Sequence, residues 1–377
     1  MPEKKRQHYV PQFYLRHFST DDEKRQISLF NINSQRLIPN ASIKRQACQD
    51  NFYGSDKIIE SALEPLENAS AKVIQRIISK NDHPRYNSEE HLIILLFVTN
   101  LRLRTLYIIE TLKEMKDRSY QKLFSINPNI KPFLKKDKSR IDNFSQYAMQ
   151  LAIQRLPTIF LFMMDLDYKL LINETQTPFI TSDNPVVFYN QFFEGRKTPA
   201  SNTGFASKGL QIFLPLSPKH QIVFFDQDIY KVYGITNNPV VLKNKNDIES
   251  INALQFLNSH SNLYFNSQIF EDTIKSLVSK YSSFRRTTKS SVEKYYNKHN
   301  EKRNQQFLIL TSMQDINCRL SLSFITLTKE AKKFKDNNRA VLFRNEELYN
   351  HYKDFKDQVT TGTYQPEEFG KFLQEIK

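Results

Sequence analysis

The apolar positions change period partway along the chain, from helical stripes to short alternating runs. Behind an opening aromatic segment, residues 26–32 alternate up to Asn33-Ser34 and resume at 36–38, which predicts a strand, a turn and a second strand. Asn51-Phe52-Tyr53-Gly54 closes this small β unit. Ile59, Leu63, Leu66, Val73 and Ile77 then mark one face of a helix that Ser55 or Asp56 caps and that runs to about Lys80, with Pro65 expected to kink or split it. A second helix opens at Ser88, carries Glu89 and Glu90 in its first turn, and is expected to run to about Arg118. Between Leu92 and Leu103 it is apolar on nearly every face, the mark of a central, buried helix. Residues 116–140, basic and broken by Pro128 and Pro132, read as a loop, and a further helix covers 142–155 before Pro157.

Beyond that point short β-type runs take over at 168–172, 179–181, 186–189, 211–214 and 221–225, predicting a mainly antiparallel sheet. Helical patterning returns at 247–259 and 268–281, followed by a basic connector, strands at 307–311 and 319–326, and charged helical stretches. Helices first and sheet second define an α+β fold. The expected organisation is a core over 1–260, divided into a β and helical part (1–165) and a sheet-rich part (166–260), with a C-terminal region over 261–377.

Composition narrows the classes. With 39% hydrophobic and 12% aromatic residues the chain is globular rather than disordered. Two cysteines, Cys48 and Cys318, supply neither a disulfide framework nor a metal quartet and fit a reducing compartment. The longest apolar run, 92–98, is too short to span a bilayer, and no apolar leader segment opens the chain, so the expected setting is the cytoplasm without membrane partners. Seven glycines and the lack of a Walker loop, a dinucleotide-binding glycine triplet or a His-Glu-x-x-His pair argue against an NTPase, a dinucleotide enzyme or a zinc peptidase.

The net charge of +14 changes the picture more. Residues 113–140 hold nine Lys or Arg against three acids, and 280–303 hold eight against two, so these two stretches supply +12 of it. Concentrated positive charge fits a phosphate-rich partner, since neutralising phosphates releases counterions. Solvated helix faces are the other reading.

Candidate chemistry lies in four places. Gln7-His8-Tyr9-Val10-Pro11-Gln12-Phe13-Tyr14-Leu15-Arg16-His17-Phe18 is too apolar for a mobile terminus and must dock into the body of the protein. There His8 is either an acid–base group or a structural histidine on a backbone carbonyl. Arg104 shares a helix face with Phe97, Asn100, Leu101 and Ile108, while Arg102 projects elsewhere. A guanidinium on so apolar a helix pairs with a carboxylate of the preceding helix, or else clamps an anion. The stripe Glu60, Glu64 and Glu67 is a solvated face, that partner, or a divalent-metal site. Ser182-Asp183-Asn184-Pro185 between two β-type runs is an Asx turn or a site at a strand end, and Ser217-Pro218-Lys219-His220 is a comparable turn.

In this order, the opening segment, Asn51-Phe52-Tyr53, the Glu60 to Glu67 helix, Arg104-Thr105, Pro178-Phe179-Ile180-Thr181-Ser182-Asp183-Asn184-Pro185 and Leu214-Pro215-Leu216-Ser217-Pro218 resemble the bacterial domain-of-unknown-function family 4238. The resemblance covers residues 1 to about 260. It implies kinship with single-protein anti-phage defence systems, a phage-encoded trigger among the partners, and added weight for His8, Arg104 and Asp183. We assemble these three as an expected phosphodiester-cleaving site, with His8 as general acid or base, Arg104 on the phosphate and Asp183 orienting the imidazole. Tyr9, Gln12, Asn100, Ser182, Asn184, Lys219 and His220 are the expected substrate contacts. No cofactor is required, and in a metal-dependent variant Glu60, Glu67 and Asp183 are the ligands. The leading expectation is a defence nuclease that acts on infection and cuts nucleic acid, RNA more than DNA. Its alternative is a non-catalytic protein that binds nucleic acid or senses a phage protein.

Overall fold

The computed structural model describes residues 6–128, 144–194, 201–234, 238–266, 271–296, 307–335 and 342–376. The first part of the chain forms β1 (Arg6–His8), α1 (Gln12–Leu15), β2 (Gln26–Asn31), β3 (Arg36–Ser42), β4 (Cys48–Asp50), α2 (Ile58–Lys80), α3 (Glu89–Leu103) and α4 (Leu106–Ile126). There follow α5 (Phe144–Gln154), α6 (Leu156–Leu161), β5 (Asp167–Asn173), β6 (Thr181–Ser182), β7 (Val187–Tyr189), β8 (Gln211–Ser217) and β9 (His220–Phe225). The remainder is β10 (Tyr230–Val232), β11 (Val240–Leu242), α7 (Lys245–Asn258), β12 (Asn262–Phe265), α8 (Glu271–Tyr281), β13 (Ser290–Tyr296), β14 (Phe307–Met313), β15 (Ile325–Leu327), α9 (Lys329–Lys335), α10 (Glu346–Thr360) and α11 (Phe369–Glu375). The architecture is α+β, with mainly antiparallel sheets.

The central sheet has the order β11-β5-β9-β8-β7, antiparallel except for the β11–β5 pair. Side chains alternate across it as a pleat requires. Leu170, Ile212, Leu214, Ile222 and Phe224 join the core under α2 and α3, whereas their neighbours Leu171, Phe213, Val223 and Phe225 join the core under α7. Every residue of β8 and β9 is buried, which explains why these strands read as continuous apolar runs in sequence.

The predicted early strand, turn and strand form the β2–β3 hairpin, which belongs to a second sheet of order β3-β2-β12-β6. β2 pairs with β12, Leu29 opposite Tyr264, so the early hairpin is joined by a strand from more than two thirds of the way along the chain, and β6 follows on the other side of it. The opening segment docks as expected: β1 pairs with β4, and Val10, Tyr14, Leu15 and Phe18 are fully buried. Phe13 and Tyr14 rest on Phe97 of α3, at ring distances of 5.6 and 6.5 Å.

Four expectations need correction. Pro65 does not split α2, because it occupies an exposed position where the lost amide bond leaves packing intact. The long helix from Ser88 is two helices, α3 and α4, bent by 50° at Arg104-Thr105. Residues 116–126 belong to α4 instead of a loop, and of the remainder of that predicted loop 129–140 lies outside the described residues. The basic connector contains β13, paired along its length with β14, while the strand predicted at 319–326 shrinks to β15. Among the described residues no single helix is long and apolar enough to cross a membrane.

Candidate nucleic-acid interface and the signature residues

The residues singled out in sequence fall into two groups that meet near the α3–α4 bend. The first gathers the opening segment, α2 and Arg104. Gln7 accepts from the Tyr53 amide at 2.6 Å and donates to the Gly54 carbonyl at 2.9 Å and to Glu60 at 3.4 Å. The His8 ring donates from Nε2 to the Lys44 carbonyl at 3.2 Å, the geometry of a structural histidine. Tyr53 donates to the His8 carbonyl at 3.0 Å and lies against the Arg104 guanidinium. Arg104 itself is 1% exposed and donates from Nη1 to Glu67 at 2.6 Å. Burial alone would push Arg104 down, but Tyr53 and Glu67 reverse this and hold it above its ordinary value. Burial likewise pushes the Tyr53 hydroxyl up to about 12. Of the two readings open for Arg104, the structure therefore holds the ion pair with the preceding helix. Tyr9, buried against Phe52, is pushed upward by burial first and then by Asp183, Cys48 and Glu110.

The second group surrounds Asp183. Its carboxylate, 1% exposed, accepts the amides of His260, Ser261 and Asn262 at 2.8, 2.8 and 2.9 Å. Burial pushes this carboxyl up, and His260 and the three amides offset only part of that. Asn184 accepts from Thr105 at 2.9 Å, the contact that fixes the bend between α3 and α4, and donates to the Asn258 carbonyl at 2.8 Å. Ser182 donates to Gln255 at 3.0 Å. Tyr14 donates to the Pro215 carbonyl at 2.6 Å and is bonded to Thr181 at 2.8 Å, which ties the opening segment to both later signature turns.

His8, Arg104 and Asp183 thus occupy one neighbourhood but face separate partners: a backbone carbonyl, a carboxylate and three backbone amides. Gln12 opens α1 half-buried, Asn100 is buried one turn before Arg104, and Lys219 is exposed. His220 is buried between Ser217 and Asn81, both at 2.7 Å, and burial pushes its pKa down. Among the described residues no three His, Cys, Asp or Glu side chains form a metal-holding group, and Glu60, Glu67 and Asp183 each face a different partner. A cavity of about 320 Å³ opens between α7 and α8, and none of the residues predicted from sequence lines it.

Sequence reasoning missed two features. One is the polar row Asn252, Gln255 and Asn258 on α7, which binds the backbone of the Pro178–Val186 segment: Asn252 takes the Ile180 amide, Gln255 donates to Pro185, and Asn258 donates to Asn184 and Val186. Three amides spaced i, i+3 and i+6 among the apolar residues Ile251, Ala253, Leu254, Phe256 and Leu257 were the available signal. The other is the meeting of the two basic stretches. Arg118 of α4 donates to the Ser290 carbonyl, 172 residues further on, and Glu114 accepts the amides of Lys289 and Ser290. Glu110, Glu114, Arg118 and Lys122 form one row along α4. Arg118 from one stretch and Arg286 and Lys289 from the other stand at this seam, while Lys116 lies over the Phe144 ring on the opposite side of α4. Tyr120 and Phe124, half-buried with ring centres 6.4 Å apart, add aromatic surface to α4.

Compared with known proteins, the chain matches the family model described as Protein of unknown function (DUF4238) over residues 6–269, and it belongs to that family. No curated protein and no solved structure gives a significant match.

Proposed function

We propose that this protein binds nucleic acid, RNA before DNA, along the seam where α4 meets β13, and that it serves in bacterial anti-phage defence with a phage-encoded trigger. One observation carries the binding reading: the described parts of the two basic stretches, 113–128 and 280–296, which together hold +6 of the +14 net charge, are packed against each other. A positive face with aromatic rings grips phosphates by charge and unpaired bases by stacking, which favours single strands. The defence setting rests on the family resemblance set out above. His8, Arg104 and Asp183 serve this reading as the joints that hold the opening segment, α2, α4 and β6 in place.

The test is RNA binding by fluorescence anisotropy as a function of salt. Lys113 is exposed and Lys122 half-buried on α4. The double variant Lys113→Glu, Lys122→Glu is expected to flatten the slope of log affinity against log salt by about 1.4, since each single-strand phosphate contact contributes about 0.7. An unchanged slope, or wild-type protein that binds no RNA at low salt, overturns the reading.

A further inference from the structure

At the foot of the basic seam stands a histidine that the sequence did not single out. His260 is held by its backbone on both sides: its amide donates to Asp183 at 2.8 Å, and its carbonyl accepts from Arg285 Nη2 at 3.3 Å. Arg285 is itself fixed, donating to the Phe256 carbonyl at 2.6 Å and lying over the Phe256 ring. The His260 side chain, 18% exposed, places Nε2 at 3.4 Å from Glu110 Oε2 on α4. Glu110 also receives the Lys289 ammonium. Arg286 donates to the Tyr107 hydroxyl at 2.9 Å, and the Tyr107 ring stands edge-on to the His260 imidazole. The Nε2 edge of the ring faces the Glu110 carboxylate at ion-pair distance, which leaves Nδ1 as the ring nitrogen on the other edge. A rigid, partly open imidazole backed by a carboxylate and flanked by two cations is the arrangement of a general base beside a phosphate.

We propose that His260 is the general base of an RNA-cleaving site, with Glu110 as its positioning residue and Lys289 and Arg286 steadying the phosphate; this rests on the binding reading above. In the step, His260 Nδ1 takes the proton of a ribose 2′-hydroxyl and the 2′ oxygen bonds to the adjacent phosphorus. The bond from phosphorus to the 5′ oxygen breaks, its electron pair leaves on that oxygen, and water protonates it. The products are a 2′,3′-cyclic phosphate and a 5′-hydroxyl, nothing is oxidised or reduced, and the proton on His260 returns to solvent. On this account Asp183 acts through the His260 backbone.

The experiment uses the full chain with end-labelled single-stranded RNA, and reads cleavage and anisotropy in parallel. Wild-type protein is expected to cut RNA to cyclic-phosphate ends and to bind, without cutting, the same oligonucleotide made with 2′-deoxyribose. His260→Ala is expected to bind within about twofold of wild type and to lose cleavage by about 100-fold or more, with partial rescue by added imidazole, which a structural role would not give. His260→Gln, which keeps the bulk of the ring, serves if the alanine variant does not fold. Glu110→Gln is expected to lower kcat with KM unchanged. Binding without cleavage, or cleavage that survives in both His260 variants, overturns this inference and leaves the binding reading standing. Wild-type protein that neither binds nor cuts overturns both.

Discussion

Asp183→Ala is expected to unfold the protein or bring it close to unfolding. The carboxylate, 1% exposed, accepts three backbone amides at the turn between α7 and β12, all three in half-buried residues that lose this acceptor together. Each stranded buried donor costs about 1–3 kcal/mol, against a total stability that is typically about 5–15 kcal/mol. Asp183→Asn is expected to be intermediate. Its single carbonyl oxygen can serve the Ser261 and Asn262 amides on one side, while its NH2 then opposes the His260 amide. Urea denaturation gives the ranking, and amide hydrogen exchange at 260–262 identifies the bonds lost. An alanine variant with wild-type stability but no biological activity would show that the carboxylate acts in chemistry directly.

The Arg104–Glu67 pair gives the second large effect, and it is asymmetric. Glu67→Gln leaves a guanidinium that is 1% exposed without its counter-charge, and breaking a buried pair in this way costs about 3–5 kcal/mol. Arg104→Met leaves Glu67, which is 29% exposed and can turn to water, so its cost is expected to be smaller. The double variant is expected to lose less than the sum of the two singles, because neither residue then strands the other. Additive losses in the cycle would mean that the two side chains do not act as a pair.

These residues also show what the sequence carried. The docking of the opening segment was legible because Tyr9, Val10, Tyr14, Leu15 and Phe18 cannot remain in water together, and the burial of α3 because its apolar residues ring the helix. Helical spacing brought Arg104 and the Glu60–Glu67 stripe into consideration as partners, but it left an anion clamp equally open. The bend at Arg104-Thr105 was hidden, since apolar residues continue through 106–109 and the decisive bond runs from Thr105 to Asn184, 79 residues away. The pairing of β2 with β12 and the seam between the basic stretches are likewise long-range facts, and no local period encodes them. His260 was overlooked because its neighbours in sequence are ordinary. Its importance comes from Asp183, Arg285 and Glu110, brought to it from three other segments.

In the proposed division of labour, the signature residues hold the fold and the α4–β13 seam meets the nucleic acid. Hydrogen-exchange footprinting of the full chain, with and without a single-stranded RNA oligonucleotide, tests this most directly. The account predicts RNA-dependent protection in 106–126 and 285–296, and none in 6–18. Protection centred on the opening segment and on 181–184, with the seam unchanged, would contradict it.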